Sequence, residues 1–307
     1  MGVAADSMLG DPVHWHPVAG FGWLAAVLER RCYADSRTAG VVHLALSVGV
    51  ALGVGAAAAA GARRAGSVAQ VGTLAAASWV ALGGKSLAST ATMLADALEA
   101  GDLATARELI PHLCGRDPTA LDAAGMARAG CESVAENTSD AMVGPLLWGA
   151  LAGVPGLLGY RAVNTLDAMV GRRSPRYRNF GWAAARADDA LNLAPSRLTA
   201  SLIVLLAPLL AGSPGGAVQA WWRDAGAHPS PNAGPVEAAA AGALGIRLGG
   251  RTVYPHAVEE RPILGDGRPP TTTDLRRMAR LSQAVTWSAA LFAAAASASG
   301  PQNCGLP

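Results

Sequence analysis

Uncharged windows of membrane-spanning length alternate with polar stretches along this chain of 307 residues. About 20 mainly apolar residues suffice to cross the hydrocarbon core of a bilayer as a helix. Five windows come close to or exceed that length, at residues 41–62, 65–84, 141–160, 198–222 and 281–307. They predict an all-α, polytopic helical membrane protein with about four to five spans, in which residues 1–307 form one membrane-embedded domain.

The five windows differ in apolar strength. Residues 198–210 (LTASLIVLLAPLL) are strongly apolar, whereas the alanine run at 56–60 contributes little to membrane insertion. An alanine-rich helical binding protein without a membrane is therefore an alternative. Small residues within 46–55 favour close packing of helices. Arginines flank the first window on both sides, so the positive-inside rule does not choose an orientation.

Three polar stretches lie between the windows, at residues 86–140, 161–197 and 223–280. The first is predicted to be helical, because apolar residues recur near the helical period. They are Leu94, Leu98, Leu103, Ala106 and Leu109. The third stretch is rich in proline and glycine, as in HPSPNAGP at 228–235, and is predicted to be mostly turn and loop.

Composition narrows the classes of function. Only 15% of residues are charged, and the net charge of +2 gives no indication of a nucleic-acid partner. Four cysteines occur without a CxxC pair, which favours reduced thiols over a disulfide framework or a zinc site. The first residues lack a basic stretch followed by an apolar core, so no cleavable signal peptide is expected.

The most informative polar segment runs from residue 116 to 140. If it is helical, Arg128, Glu132, Glu136 and Asp140 follow one another at intervals of four and form one polar stripe. Carboxylates so close together need cations, and a divalent metal carrying nucleotide phosphates is a natural one. The alternative is a solvated helix face on which Arg128 pairs with Glu132.

A second polar group follows the window at 141–160. Asn164 and Asp167 lie three residues apart among apolar neighbours. Ionisable groups at membrane depth usually face a cavity or serve a function. An interfacial helix end explains the pair equally well.

Residues 179–200 contain a third polar group. Asp188 and Asn192 share a helix face, Asp189 is adjacent, and Arg186 lies one turn before Asp189. Adjacent carboxylates with an amide are typical of metal–phosphate sites, although two aspartates alone are a weak signal. Pro195 is expected to end or kink the helix just beyond.

The third stretch presents further candidates. His228 and Asn232 lie between prolines in a constrained loop, suited either to contacting a ligand or to a structural role. Arg261 and Arg268 are possible contacts for phosphate or carboxylate. No complete P-loop, GxSxG, HExxH or GxGxxG motif occurs, so any use of ATP requires an unorthodox site.

Taken in order, these segments resemble the CbiB/CobD family of cobalamin biosynthesis from about residue 9 to residue 283. The segments are GDPVHWHPV (10–18), GRDPTALD (115–122), ESVAENTSD (132–140), NTLDAMVG (164–171), FG (180–181), ARADDALN (185–192), PSRLTA (195–200), HPSPNAG (228–234) and RPILG (261–265). Each motif is of moderate specificity, but their joint order is highly specific. RDPT stands where the family usually has RDT, and ARADD where it usually has ARLDD.

The resemblance implies a multi-pass enzyme of the inner cell membrane, adenosylcobinamide-phosphate synthase. Its reaction would be ATP-dependent amide ligation of adenosylcobyric acid with (R)-1-amino-2-propanol O-phosphate, giving adenosylcobinamide phosphate. The expected cofactors are ATP and Mg²⁺, and the expected partners are the corrinoid, the amino-alcohol phosphate, the lipid bilayer and other late corrinoid-pathway enzymes. Ethanolamine phosphate is an alternative amine, and the oligomeric state stays open. A membrane transporter for a polar or corrinoid-type solute is the alternative function.

Roles follow from what the ligation needs, namely metal ligands, phosphate-stabilising cations and a base. The residues predicted for catalysis or metal–nucleotide binding are Glu132, Glu136, Asp140, Asp188 and Asp189. Glu136, Asp140 and Asp188 are the magnesium ligands among them. The residues predicted to bind substrate or phosphate are Arg116, Asp117, Arg128, Asn164, Asp167, Arg186, Asn192, His228 and Asn232.

Overall fold

The computed structural model describes residues 1–12, 16–172, 174–254 and 257–298, and these residues are mostly helical. In chain order the α-helices are α1 (Gly2–Leu9), α2 (Pro17–Cys32), α3 (Arg37–Ala65), α4 (Ser67–Ala81), α5 (Gly84–Glu99), α6 (Leu103–Leu113), α7 (Ala123–Asn137), α8 (Gly144–Val170), α9 (Trp182–Leu191), α10 (Leu193–Leu206), α11 (Pro214–Asp224), α12 (Ala233–Leu244) and α13 (Thr272–Ala298). Two strands, β1 (Leu248–Tyr254) and β2 (Ala257–Leu264), complete the fold.

The chain divides into two compact units. Among the described residues, the first comprises those within 1–83, 144–192 and 289–298, and the second comprises those within 84–143 and 193–288.

In the first unit, α3 packs against α8 through a face of small residues. Ser47, Ala51 and Gly55 are buried at intervals of four along α3. A Cβ atom placed at Gly55 would lie 2.7 Å from the Cα of Pro155, so only glycine allows this approach of the two backbones. The small residues expected to favour close packing therefore lie on the packed face.

Helix α8 is not straight. Gly153 has a φ of +62°, and Pro155 follows it inside the helix. Proline removes a backbone donor and crowds the preceding turn, and glycine tolerates the positive φ, so the two together explain the kink.

In the second unit, α5 and α6 pack together and α7 packs on both. The predicted helix over residues 86–140 is confirmed in type, but it is divided. A turn at Gly101, with a φ of +71°, separates α5 from α6 because a left-handed backbone ends a helix. Leu94, Leu98 and Ala106 are buried, as their spacing predicted.

The prediction of an all-α fold, with residues 223–280 mostly turn and loop, is wrong in part. This stretch contains helix α12 and the antiparallel hairpin of β1 and β2. The strands pair Arg251 with Glu260, and a bulge interrupts the register between Leu248 and Gly250. Helix α12 could not be predicted from the hydrophobic pattern, because its alanine-rich sequence shows no amphipathic period.

Three helices in the described residues are long and apolar enough to cross a membrane, fewer than the four to five predicted. They are the segments Arg37–Ala65, Ala123–Val170 and Leu193–Leu210. The window at 65–84 falls short because α4 has only 15 residues. The window at 198–222 is interrupted after residue 210, where Ala211 adopts a left-handed conformation.

The predicted stripe of four residues is also shortened. Helix α7 gives way to a π-helical segment, Thr138–Val143, which contains Asp140. A π-turn has an extra residue, so side chains four apart no longer align across this point. Arg128, Glu132 and Glu136 keep the predicted spacing on α7, whereas Asp140 leaves the stripe.

Candidate functional site

A small polar cavity of about 160 Å³ lies within the second unit. It is bordered by the end of α6, by α7 and α12, and by the hairpin. The residues that line it are Leu113, Cys114, Gly115, Arg116, Ala129, Glu132, Ser133, Glu136, Glu237, Tyr254 and Arg261. Charged groups of both signs therefore line one cavity.

Arg116 and Glu132 form a buried ion pair beside this cavity. The Arg116 guanidinium donates to the Glu132 carboxylate, and both residues are buried. The other carboxylate oxygen of Glu132 accepts the Gly249 N–H at 2.7 Å. Although burial disfavours the charge of Arg116, the Glu132 carboxylate outweighs it, and the pKa of Arg116 is raised. Glu132 thus fixes Arg116 and the hairpin rather than standing as an available base.

Arg128 has a similar positioning role. Its guanidinium donates to the backbone carbonyls of Gly249 and Arg251, the latter at 2.7 Å. Its Nε atom lies 3.9 Å from Glu132. The predicted pairing of Arg128 with Glu132 is confirmed, but the prediction of a solvated face is wrong for Glu132, which is buried.

Glu237 and His228 form a second buried pair at this site. Glu237 projects from α12, and its Oε1 lies 4.0 Å from His228 Nε2. Burial raises the pKa of Glu237, and the negative charges of Glu132 and Glu136 raise it further. Burial also lowers the pKa of His228, which favours a neutral imidazole. Burial therefore disfavours the charged form of both groups.

Arg261, on β2, connects His228 with Tyr254. Arg261 Nη1 lies 3.4 Å from His228 Nε2, and Arg261 Nη2 donates to the Tyr254 hydroxyl at 2.7 Å. His228 Nδ1 lies 3.2 Å from the carbonyl of Ser230. The Ser230 N–H donates to the same Nδ1 at 3.0 Å, so this nitrogen lies between the N–H and the carbonyl of Ser230. Burial raises the pKa of Tyr254, so its hydroxyl stays protonated.

The other predicted residues of the second unit lie elsewhere or serve local structure. Asn232 is buried and accepts hydrogen bonds from Ser196 at 3.2 Å and from Arg197 at 3.0 Å. Asp117 caps a 3-10 turn, where it accepts from the Thr119 N–H at 2.9 Å. Asp140 is not among the cavity-lining residues.

The first unit contains a separate amide–carboxyl network. Asp188 accepts from Asn164 at 3.3 Å and from Asn192 at 3.0 Å, which confirms that Asp188 and Asn192 share a face. Tyr160 donates to Asn192 at 2.6 Å, and Arg161 donates to Asn164 at 3.1 Å. Burial raises the pKa of Asp188, and the two amide hydrogen bonds only partly offset this.

The other predicted site residues of the first unit are not among the hydrogen-bond partners named for this network. Arg186 pairs with Asp189 at 3.3 Å on an exposed face, where such pairs contribute little to stability. Asp167 lies beside the backbone of Gly171, where a Cβ atom would approach its Oδ1 to 1.8 Å. Helix α9 ends at Leu191, and Pro195 occupies the first turn of α10, as its position predicted.

The predicted magnesium ligands are distributed over both units. Asp188 belongs to the first unit, whereas Glu136 and Asp140 belong to the second. Within the described part of the chain, no group of three or more His, Cys, Asp or Glu side chains is placed to hold a metal ion. Magnesium bound with nucleotide phosphates needs only one or two carboxylates, so the metal assignment stays a prediction.

Sequence reasoning missed Glu237 and Tyr254 at the cavity. Glu237 is the one carboxylate in the alanine-rich run at 233–244, and a lone charge in such a run was the available signal. Tyr254 offered no comparable signal. The three cysteines in the described residues, Cys32, Cys114 and Cys131, are free, as expected for reduced thiols. Cys304 and residues 13–15 of the first motif lie outside the described residues.

The apolar helices and the charged cavity together define a helical protein of membrane-type composition with an internal polar site. Comparison with known proteins identifies its family: a family model described as CobD/Cbib protein matches residues 1–282. The chain belongs to the CobD/CbiB family, and the predicted resemblance is confirmed.

Curated relatives of this chain carry the name cobalamin biosynthesis protein CobD. The one from Mycobacterium tuberculosis is 56% identical over 95% of this chain and 93% of the relative. Those from Geobacter metallireducens and Chromobacterium violaceum are each 43% identical, over 95% of this chain and 93% of the relative. No solved structure matches.

Proposed function

We propose that this protein is a multi-pass inner-membrane enzyme of cobalamin biosynthesis, adenosylcobinamide-phosphate synthase. It would join the carboxyl group of adenosylcobyric acid to the amine of aminopropanol phosphate at the expense of ATP. Membership of the CobD/CbiB family supports the pathway. The observation that carries the chemistry is the gathering of Arg116, Arg261, Glu136 and Glu237 around one cavity.

The reaction makes two demands that these residues can meet. The amino-alcohol phosphate brings phosphate charge to the reacting centre, which guanidinium groups bind best. Arg116 and Arg261 supply such groups. The incoming ammonium must lose a proton before its nitrogen attacks the carbonyl carbon. Glu136 lines the cavity and is exposed, so we assign it the role of the general base that takes this proton.

This assignment changes the role proposed for Glu132. Because Arg116 and the Gly249 N–H already occupy its oxygens, Glu132 acts as a positioning residue. Magnesium, when bound with the nucleotide, would neutralise phosphate charge, and with Glu136 assigned as the base, Asp140 is the other predicted magnesium ligand in the second unit.

The test uses the full chain, purified in detergent and supplied with adenosylcobyric acid, aminopropanol phosphate and Mg-ATP. Mass spectrometry should detect adenosylcobinamide phosphate, formed in step with nucleotide consumption. Glu136→Gln should lower kcat by about 100-fold, the contribution typical of a general base. Glu108→Gln, an exposed glutamate on α6, is the matched control.

Reconstituted vesicles separate the enzyme from the transporter alternative. Corrinoid uptake into vesicles without formation of an amide product would overturn the proposal in favour of transport. Full ligase activity in Glu136→Gln would remove Glu136 from the mechanism.

A further inference from the structure

The cavity of the second unit is lined by both basic and acidic side chains. Arg116 and Arg261 supply two guanidinium groups, and Glu132, Glu136 and Glu237 supply three carboxyl groups, of which Glu132 is paired with Arg116. A ligand with one anionic and one cationic end would match both sets, whereas a purely anionic ligand would meet the Glu136 carboxylate unfavourably.

Arg116 carries a second indication of an anionic ligand. Only 6% of this residue is exposed, and Glu132 accepts from its Nη2. Its other terminal nitrogen, Nη1, is buried and has no hydrogen-bond partner among the described residues. A buried donor without an acceptor is unfavourable, and such exceptions call for an explanation. A phosphate oxygen reaching this guanidinium would provide the acceptor.

Neighbouring side chains fix the position of the Arg261 guanidinium in the same cavity. Its Nη2 donates to the Tyr254 hydroxyl at 2.7 Å, and its Nη1 faces His228 Nε2 at 3.4 Å. The exposed carboxylate of Glu259 also lies 3.5 Å from Arg261 Nε, so these contacts together restrain the guanidinium. Preorganised cations of this kind bind anions with less loss of side-chain entropy.

The size of the cavity restricts the ligand. Its volume is about 160 Å³. Pockets that enclose drug-sized ligands measure about 300–1,000 Å³. A nucleotide or a corrinoid is therefore too large to be enclosed here, whereas a ligand of roughly ten non-hydrogen atoms fits.

We infer that this cavity binds the small amine substrate, a phosphomonoester carrying an ammonium group. The phosphate would contact Arg116 and Arg261, and the ammonium would lie beside Glu136, with the Glu237 carboxyl as a further acceptor. This inference rests on the proposed function and assigns one of its three substrates to a place. The nucleotide and the corrinoid would then approach from outside the cavity.

Direct binding tests this inference without any ligation. Calorimetric titration of the full chain in detergent would use ethanolamine phosphate and aminopropanol phosphate as probes, with inorganic phosphate and unphosphorylated aminopropanol as comparisons. We expect at least tenfold tighter binding of the phosphorylated amines than of either comparison compound. Equal binding of inorganic phosphate and the phosphorylated amines would overturn the inference.

Two variants give separate signatures. Arg261→Gln should weaken binding of both the phosphorylated amines and inorganic phosphate by at least tenfold. Glu136→Gln should weaken binding of the phosphorylated amines alone. Arg172→Gln and Glu108→Gln, at exposed positions outside the cavity lining, are the matched controls. Unchanged affinities in Arg261→Gln and Glu136→Gln would also overturn the inference.

Failure of this inference is distinguishable from failure of the proposed function. If the wild-type protein binds the phosphorylated amines but forms no amide, only the proposed function fails. If it forms the amide while both variants keep the wild-type KM for the phosphorylated amine, only the placement fails.

Discussion

Replacing Glu132 by glutamine would remove the negative charge from the buried pair with Arg116. The side chains of the two residues are only 5% and 4% exposed, so water cannot take over the lost interaction. Breaking a buried ion pair by removing one partner costs about 3–5 kcal/mol. Glutamine keeps one carbonyl oxygen, which can still accept the Gly249 N–H. We therefore expect the lower end of this range, about 3 kcal/mol of lost unfolding free energy.

Thermal unfolding in detergent at a fixed scan rate would measure this loss. For a unit of 150–250 residues, 1 kcal/mol shifts the midpoint by about 2–4 °C, so about 3 kcal/mol predicts a fall of roughly 6–12 °C. Glu108→Gln changes an exposed glutamate to glutamine and should shift stability by less than about 0.5 kcal/mol. The double variant Arg116→Met/Glu132→Leu should be more stable than Glu132→Gln, because no unpaired charge is left buried. A wild-type midpoint for Glu132→Gln would refute the reasoning that this pair positions the site.

Three further predictions follow from burial and close packing. Burial raises the folded-state pKa of Glu237. The stability that protonated Glu237 contributes is therefore complete below the ordinary glutamate pKa and is lost as the pH rises through the folded-state pKa. Glu237→Gln should flatten the resulting fall in melting temperature between pH 5 and 8. Gly55→Ala should cost about 1–3 kcal/mol because its Cβ would meet Pro155, whereas Gly53→Ala, with open space around it, should be neutral or slightly stabilising in the same melts. Asp188→Asn should cost about 1–3 kcal/mol, because an amide cannot accept from both neighbouring amide groups through two oxygens; an unchanged melting temperature would contradict the described network.

Predictions from local spacing succeeded where one helix held both partners. Asp188 with Asn192 and Arg128 with Glu132 are contacts within a single helix or its cap, and the period of 3.6 residues is sufficient to predict them. Asp140 shows the limit of this reasoning. A π-helical segment begins at Thr138, whose hydroxyl bonds to Ser282 at 2.6 Å, far away in the sequence. No local sequence pattern predicts such a change of helical period.

The sequence alone determined that this chain is helical, largely apolar and a member of the CobD/CbiB family. The apolar windows predicted the first two properties, and the order of the polar motifs predicted the family. Apolar length and periodicity are local properties, and motif order needs no coordinates. Only the tertiary structure decided which charged residues share a cavity. Arg116, Glu132, Glu237 and Arg261 come from four separated segments, so their grouping depends on long-range packing. That packing also decided that Glu132 is neutralised by Arg116 and that Glu237 is buried, because burial and pairing are properties of the surroundings rather than of the residue.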